Sequence, residues 1–557
     1  MHDAVSGSEQ AGRKTRNPEA AALTPQARHF HEQAEAVRRI YAPFYPGKRI
    51  RIVLKALDHP AGDPGAVSVI DGDAGLSVVD DTYLGCADFG GTGKKNAIAA
   101  TIVAGVPRPV RQTEVFPEKT APDFSHKPML QRLLWASPVL FEQLKYQYEA
   151  RAERLCPTRH AFDPIRRATF HPAGSLTRAR DTKKAPAILI GFHWLEMGGA
   201  ENLAFNCVKW ARAAGFRVLV VAEQPEIQRQ AWKLPDDPEV EFIRADAYVH
   251  PGNWAAFLEN IIRSENVRAL HIHHNTRFYD NLMLLKAMFP DLVVIDSTHI
   301  IEYSNGGFPR TSGVWTNYID HHHVISRDLV SFYLDRFGVS DRVVLGRMLD
   351  PVTPQQAAIT PDLRLEAGQR RCRLVFVGRM VHQKRAPLVV EILRKLQGWA
   401  KGRGVTLQVD MVGTGAYLDV VRHMITKAKL EDVITLYPAD TDVPALLDQA
   451  DILLLPSSNE GLALVCYEAI EHGVLPISTD VGGQDELVPD SLLVPRSPLR
   501  CVRDTVALIG RLMTEPAFLE TCKAETLANY RNLRADPTAE QALTALYGDI
   551  FKGLSDQ

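Results

Sequence analysis

The sequence predicts an α/β protein in which two successive parallel, doubly wound domains face each other across a cleft, preceded by an α+β extension. Three observations carry this reading. From Ala187 to Leu345 short apolar runs alternate with helical segments. Residues 351–370 (PVTPQQAAITPDLRLEAGQR) interrupt that rhythm with prolines and polar side chains, as an interdomain linker would. The rhythm then restarts at Leu374 and runs to Val494. Alternating strand and helix is the pattern of a parallel sheet covered on both faces.

The totals agree with several domains. At 557 residues the chain is too long for one core, and about two to four are expected. Lys and Arg number 64 against 66 Asp and Glu, a net charge of −2, which argues against a nucleic-acid partner for the whole chain. Seven cysteines, at 86, 156, 207, 372, 466, 501 and 522, include no Cys-x-x-Cys pair. Neither a disulfide framework nor a structural zinc site is expected, and a reducing cytoplasm fits. The start, MHDAVSGSEQAGRKTRN, lacks the apolar core of a signal peptide. No apolar run approaches the roughly 20 residues of a membrane span. The protein is therefore expected to be soluble and at most peripheral at the inner face of a membrane.

Taken in order, residues 1–24 are small and polar and read as a disordered leader. Residues 25–184 form an accessory region. It opens with an amphipathic helix over 25–41. Strands at Ile50–Leu54 and Leu76–Val79 follow, separated by Gly, Pro and Asp clusters that mark turns. Residues 128–155 have helical apolar spacing. Residues 151–184 then carry nine Lys/Arg against three acids. A solvated basic linker is the plain reading, and contact with an anionic acceptor or lipid headgroups is the second.

The first α/β domain spans 185–352, with strands at 188–190, 218–221, 270–272, 292–295, 323–325 and 343–345. The second spans 366–535, with strands at 374–377, 407–412, 433–436, 452–455, 475–477 and 492–494. Residues 536–557 form a terminal helix expected to pack back on the first α/β domain.

Candidate chemistry collects at the carboxyl ends of these strands, where open α/β sheets bind ligands. GFHWLEMGGAENLAF (191–205) joins a strand to a helix through Gly198 and Gly199, which allow close backbone approach to a phosphate; alone, the pair is as readily a tight turn. LVFVGRMVHQKRAP (374–387) places Arg379 and Lys384 after a strand, a fork and a point charge suited to phosphate oxygens, or else two solvated surface cations. DILLLPSSNEGLALVCYEAIEHGVLPISTDVGG (451–483) sets Glu460 at a helix mouth and Glu468 within the helix. Each acid by itself reads as a helix-start charge. His299 follows the strand of VVIDSTHIIEYSNGG. His321–His323 alternate faces of a strand and cannot share one ion easily, so they read as strand-edge residues. Asp71-Gly72-Asp73 and Asp440-Thr441-Asp442 read as turns.

In combination these stretches resemble a known family. GGAE at 198–201, VGR with a lysine five residues on, VGTG at 412–415 and EGLALVCYEAIEHGVLPISTDVGGQDEL are similar to the GT4 family of retaining glycosyltransferases, which have the GT-B fold. The resemblance covers about residues 185–550 and leaves the first 180 unplaced. It implies that Arg379 and Lys384 hold the donor diphosphate. Gly198, Gly199, Gly413 and the backbone of Gly461, Leu462 and Leu464 would complete the donor site. Glu468 would bind the ribose, Glu460 the donor sugar, and His299 would lie near the reacting carbon. Catalysis would rest on Glu460, His299, Arg379 and Lys384, with no metal or cofactor beyond the nucleotide-diphosphate sugar itself. The chain departs from the family pattern at LGRMLDP (345–351), at Arg385 where glycine is common, and at Leu436-Tyr437-Pro438 where Phe-x-Gly is usual.

The implied activity is transfer of a hexose to a glycan or lipid-linked acceptor, in envelope or capsular polysaccharide synthesis. The competing readings are a catalytically inactive nucleotide-sugar-binding scaffold and a GT-B-like nucleotide-sugar epimerase. A dinucleotide oxidoreductase is disfavoured, because no Gly-x-Gly-x-x-Gly follows the first strand of the α/β pattern.

Overall fold

In the computed structural model, residues 25–78, 80–90, 97–108, 127–155, 167–168, 179–303, 305–351 and 360–555 are described. The expected leader 1–24, most of the basic stretch 151–184 and residues 352–359 of the interdomain break lie outside them.

The extension begins with helix α1 (Pro25–Tyr41), whose Ala34, Val37, Ile40 and Tyr41 recur at helical spacing and are buried. They pack on a four-stranded sheet of β1 (Arg49–Ala56), β2 (Val67–Asp71), β3 (Tyr83–Phe89) and β4 (Ile98–Val106), in the order β2-β4-β1-β3. The strand expected at 76–79 is absent. Gly75–Val78 is a 3-10 turn, and Val79 is not described. Asp73, which accepts from the Gly75 amide, holds that stretch in a turn rather than a ladder.

The extension is tied to the first α/β domain by charge as well as apolar contact. Arg39 reaches Glu241 at 2.7 Å and Glu265 at 2.5 Å, and Lys184 and Arg217 also bond Glu265. Burial would raise the Glu265 carboxyl, but these cations outweigh it and hold it down at about 2.

The helical stretch 128–155 breaks at Ser137-Pro138 into α2 (Pro128–Ala136) and α3 (Pro138–Leu155), since a proline there cannot donate to the preceding turn. This pair packs on the second α/β domain, away from the rest of the extension.

The first α/β domain has seven parallel strands: β5 (Ala187–Phe192), β6 (Arg217–Ala222), β7 (Val240–Ile243), β8 (Val267–His273), β9 (Val293–Thr298), β10 (His321–Val324) and β11 (Val343–Leu345). Their order is β11-β10-β9-β8-β5-β6-β7. Strand β7 is not legible in the sequence, because VEFI carries a glutamate within a short run. Its helices include α4 (Gly199–Ala213), α5 (Trp254–Ser264), α6 (Thr276–Met288), α7 (Gly307–Val314) and α8 (Arg327–Phe337).

His321–His323 are not edge residues. They lie on β10, paired on both sides, and His322 and His323 are fully buried. His322 is bonded to Asp296 and Thr316 on one face, and His323 to Ser297 and the Gly346 carbonyl on the other. Interior hydrogen bonds make these imidazoles tolerable inside a sheet.

The second α/β domain has six parallel strands: β12 (Arg371–Val377), β13 (Thr406–Val412), β14 (Ile434–Tyr437), β15 (Ile452–Leu455), β16 (Leu475–Thr479) and β17 (Leu493–Val494), ordered β14-β13-β12-β15-β16-β17. Its helices include α9 (Ala386–Lys401), α10 (Leu418–Ala428), α11 (Leu464–Glu471), α12 (Pro498–Thr514) and α13 (Pro516–Arg534). The stretch read as linker ends sooner than 370. Leu363 and Leu365 are buried in this domain's core, and Arg364 donates to the carbonyls of Leu447, Ala450 and His472. Polar neighbours mask this apolar pair, spaced by two, in the sequence.

The chain crosses between domains at two adjacent points. Residues 346–350 lead out, and 536–539 lead back to α14 (Ala539–Ser555). Across the crossing the Arg347 amide donates to the Pro537 carbonyl, and the Ala539 amide donates to the Arg347 carbonyl. Helix α14 packs on α4, with Leu543 and Tyr547 fully buried. Each sheet reverses strand order once, between β5 and β8 and between β12 and β15, and ligands bind α/β sheets at such switch points. Among the described residues no helix is long and apolar enough to cross a membrane.

Candidate active site

The two switch points open onto one cleft of about 740 Å³ between the domains. From the first domain it is lined by Gly198, Gly199 and Glu201 after β5, His274 after β8, and His299 after β9. From the second it is lined by Gly378, Arg379 and Lys384 after β12, and by Glu460, Gly461, Leu462, Leu464 and Glu468 around the start of α11. Of the candidate residues, Gly413 alone is not in the lining. A Cβ there would fall 2.1 Å from the Gly378 carbonyl, so its place is behind the Gly378–Arg379 turn, which only a glycine lets come so close.

On the second-domain wall, Lys384 Nζ lies 2.6 Å from Glu460 Oε1. Glu460 is buried, while Arg379 is exposed and, among the described residues, has no side-chain partner. The loop between the two cations is stitched to the loop after β15. Ser458 donates its amide to the Gln383 carbonyl, and Gln383 donates its side-chain amide to Asn459.

Arg385 adopts the left-handed conformation at φ 47°. It is 1% exposed, and its guanidinium donates to the carbonyls of Ser457 and Arg496. Those bonds hold a non-glycine residue in a conformation it would otherwise avoid.

The domains touch across the cleft. Gly461 passes so close to the His299 carbonyl that a Cβ would fall 1.9 Å from it. Asn459 donates to the Ile301 carbonyl, and the Gly482 amide donates to the Tyr303 hydroxyl. Glu468 opens onto the cleft from α11, its carboxyl pushed up by partial burial and by Glu471 one turn away.

The two histidines of the first-domain wall, which also carries Glu201 and Glu302, are uncharged. His299 is 6% exposed, and neither ring nitrogen has a partner among the described residues. Burial, with His274, His273 and His323 nearby, drives its pKa well below the usual histidine value. His274 stacks on Phe308 at 4.4 Å and is pushed down to about 4, chiefly by burial. Two uncharged imidazoles thus face two cations and the carboxyls of Glu460 and Glu468.

Sequence reading missed His274. Its signal was the switch-point position after β8, in HIHHN. It also missed His382 and Tyr303, and it missed Glu149, which reaches the cleft from α3. No local pattern marks Glu149, because its bonding partner there, His382, lies 233 positions away.

One group of the described residues lies close enough to hold a metal: Cys207, His271 and His273, with ligand atoms within 4.8 Å of one another. It is buried in the first domain's core. His271 commits both ring nitrogens, to the Tyr547 hydroxyl at 2.5 Å and to Ser297 Oγ at 2.9 Å. His271 and Cys207, which both meet the Tyr547 hydroxyl, therefore read as core hydrogen bonding that seats α14.

Residues 365–494 match the family model described as "Glycosyl transferases group 1". The chain is 23% identical over 351 residues to one subunit of the human phosphatidylinositol N-acetylglucosaminyltransferase, covering 58% of this chain and 68% of that protein. It is 29% identical over 170 residues to the D-inositol 3-phosphate glycosyltransferase of an Arthrobacter strain, covering 29% of this chain and 39% of that one. A solved glycosyltransferase from Rickettsia africae superposes with a TM-score of 0.47 at 14% identity, covering 67% of this chain and 99% of that one.

Proposed function

We propose that the chain is a GT4-like glycosyltransferase of the GT-B fold, and that it transfers a hexose from a nucleotide-diphosphate sugar to a glycan or lipid-linked acceptor with retention of configuration. The observation that carries this reading is the charge layout of the cleft, with Arg379, which has no side-chain partner among the described residues, beside a Lys384–Glu460 pair facing neutral imidazoles. Arg379 and Lys384 take the diphosphate, helped by Gly199 and by the backbone around Gly461 to Leu464 at the mouth of α11. Glu468 takes the ribose and Glu460 the sugar hydroxyls.

In the reaction the bond from the sugar's anomeric carbon to phosphate oxygen breaks, and a bond to the acceptor oxygen forms on the same face. The acceptor's proton passes to the departing phosphate, giving a nucleoside diphosphate and a glycoside. Charge grows on the leaving group, where two fixed cations meet it, so the step is proposed to need no metal. The cation-like sugar sits by Glu460 and the uncharged His299.

The glycan or lipid-linked acceptor is in keeping with the phosphatidylinositol named for the human relative. An envelope or capsular polysaccharide remains the proposed product. The proposed location is cytoplasmic, with the basic stretch 151–184 meeting anionic headgroups.

The test is release of UDP or GDP from a panel of their sugars with candidate acceptors. Arg379→Ala and Lys384→Ala should each cut turnover strongly, because each removes charge that matters most in the transition state. Turnover unchanged in both, or no release and no binding with any donor, would contradict the reading.

A further inference from the structure

Helices α2 and α3 form a strap thrown from one domain onto the other. The chain leaves the extension's sheet after β4 and is back on the first domain by Arg180, which bonds Asp291, and Asp181, whose amide donates to Arg263. Between these points α3 lies on α9 and α12 of the second domain. Gln143 accepts from Ser497 Oγ and from the Leu499 amide, both at 3.1 Å, at the start of α12.

The strap's inner face grips the loop between Arg379 and Lys384. His382 sits in that loop. Its Nδ1 lies 2.9 and 3.2 Å from the two carboxylate oxygens of Glu142, and its Nε2 lies 3.2 Å from Glu149. Glu142 is 0% exposed and also bonds the Tyr417 hydroxyl. A buried carboxylate is stable only where it has such partners. Burial works against a charge on His382, but the two glutamates outweigh it and raise its pKa above the ordinary value.

Glu149 goes further than gripping. It lines the cleft together with Arg379, His382 and Lys384, so the wall carries an acid from the extension. Nearby, Arg496 lies over the Tyr303 ring at 3.9 Å and the Tyr146 ring at 5.2 Å, joining α3 to both domains.

We propose that α3 is a working part of the donor site: Glu142 and Glu149 position the Arg379–Lys384 loop by holding His382 between them, and Glu149 adds its carboxylate to the cleft. This rests on the donor reading given above and assigns a role to a segment outside the family resemblance. Glu142 and His382 are positioning residues, acting through the two cations. A loop held before the ligand arrives binds more tightly, because less order has to be imposed on binding.

The test is calorimetric titration of UDP and of GDP into the full-length chain. Glu149→Gln, Glu142→Gln and His382→Gln should each weaken the nucleotide that the wild type binds by about tenfold, as losing a charge-assisted hydrogen bond does. The double variant Glu142→Gln/His382→Gln should bind no worse than His382→Gln alone, since both act through one contact. Leu144→Ser, on the exposed face of α3, should bind as wild type. A merely structural role would lower thermal stability and leave the cycle additive.

Should the buried Glu142→Gln fail to fold, the half-exposed Glu149→Gln decides. Folded Glu149→Gln and His382→Gln binding nucleotide as tightly as wild type would overturn the proposal. If the wild type binds neither UDP nor GDP, the donor reading itself fails and this role falls with it.

Discussion

Lys384 and Glu460 are each other's partner across the cleft floor, 2.6 Å apart, although 76 positions separate them in the chain. On the proposed donor reading, a diphosphate arriving there would compete with Glu460 for the lysine and release the carboxylate toward the sugar, which would make the pair an exchange contact opened by the donor.

This gives Glu460→Gln an effect of two signs. Removing the competing charge should tighten UDP or GDP binding, while transfer from the nucleotide sugar falls because the sugar loses its carboxylate. Lys384→Ala should instead lose about 10²–10³ in turnover, the usual cost of removing a group that meets transition-state charge. Titration and initial rates on the same preparations check both. Weaker nucleotide binding by Glu460→Gln would refute the exchange.

Gly461→Ala probes domain contact. The added Cβ would meet the His299 carbonyl at 1.9 Å and Ile325 at 3.4 Å, so one loop has to move. Overpacking of this kind costs about 1–3 kcal/mol. The expected outcome is faster amide exchange over 299–303 and 457–463, and slower transfer with the acceptor saturated. Unaltered exchange in both loops would show that the contact is dispensable.

Arg347 holds the crossing. It is 1% exposed, lies against Glu486, bonds Asp536 at 2.6 Å and donates to the Ile325 carbonyl at 3.1 Å. Arg347→Met would leave Glu486 without its cation and Asp536 with only the exposed Arg327, a loss of about 3 kcal/mol. Denaturant unfolding followed by tryptophan fluorescence should show an earlier midpoint, and the released crossing should become a site of proteolysis near 536–539. A midpoint matching the wild type would exclude this role.

Nucleotide affinity should depend on pH through His382. The groups facing it are Glu142, Glu149 and Lys145 on α3, with Arg496 beyond. Its folded-state pKa lies above the usual 6.5, so the stabilisation of its loop is complete below that value and is lost as pH rises through the higher, folded-state one. Burial pushes the Glu149 carboxyl up, but the His382 bond together with the charges of His382, Lys145 and Arg496 holds it below its usual range, so its contribution persists until the pH falls through that depressed value. The wild type should therefore bind UDP or GDP progressively less well on the alkaline side. His382→Gln should lack this step, which separates it from titration of the nucleotide itself. A parallel decline in both proteins would point to another group.

The sequence by itself determined the two α/β domains, most of their strands and the strand ends at which Arg379, Lys384, Glu460, Glu468, His299 and Gly199 stand. Those features are written in local periodicity and in short motifs, which depend on near neighbours. Only the tertiary structure decided which charges pair. It joined Lys384 to Glu460, left Arg379 open, made His274 and His299 neutral by burial, and brought Glu142 and Glu149 onto His382 from 240 and 233 positions away. Pairing and burial arise from residues that meet only when the chain folds, and no spacing along the chain records them. The same holds for the strap. Residues 128–155 show their helical period in sequence, but the domain they grip is fixed by partners met only in the fold, the core that buries Leu134 and Phe141 and the His382 that pairs with Glu142 and Glu149.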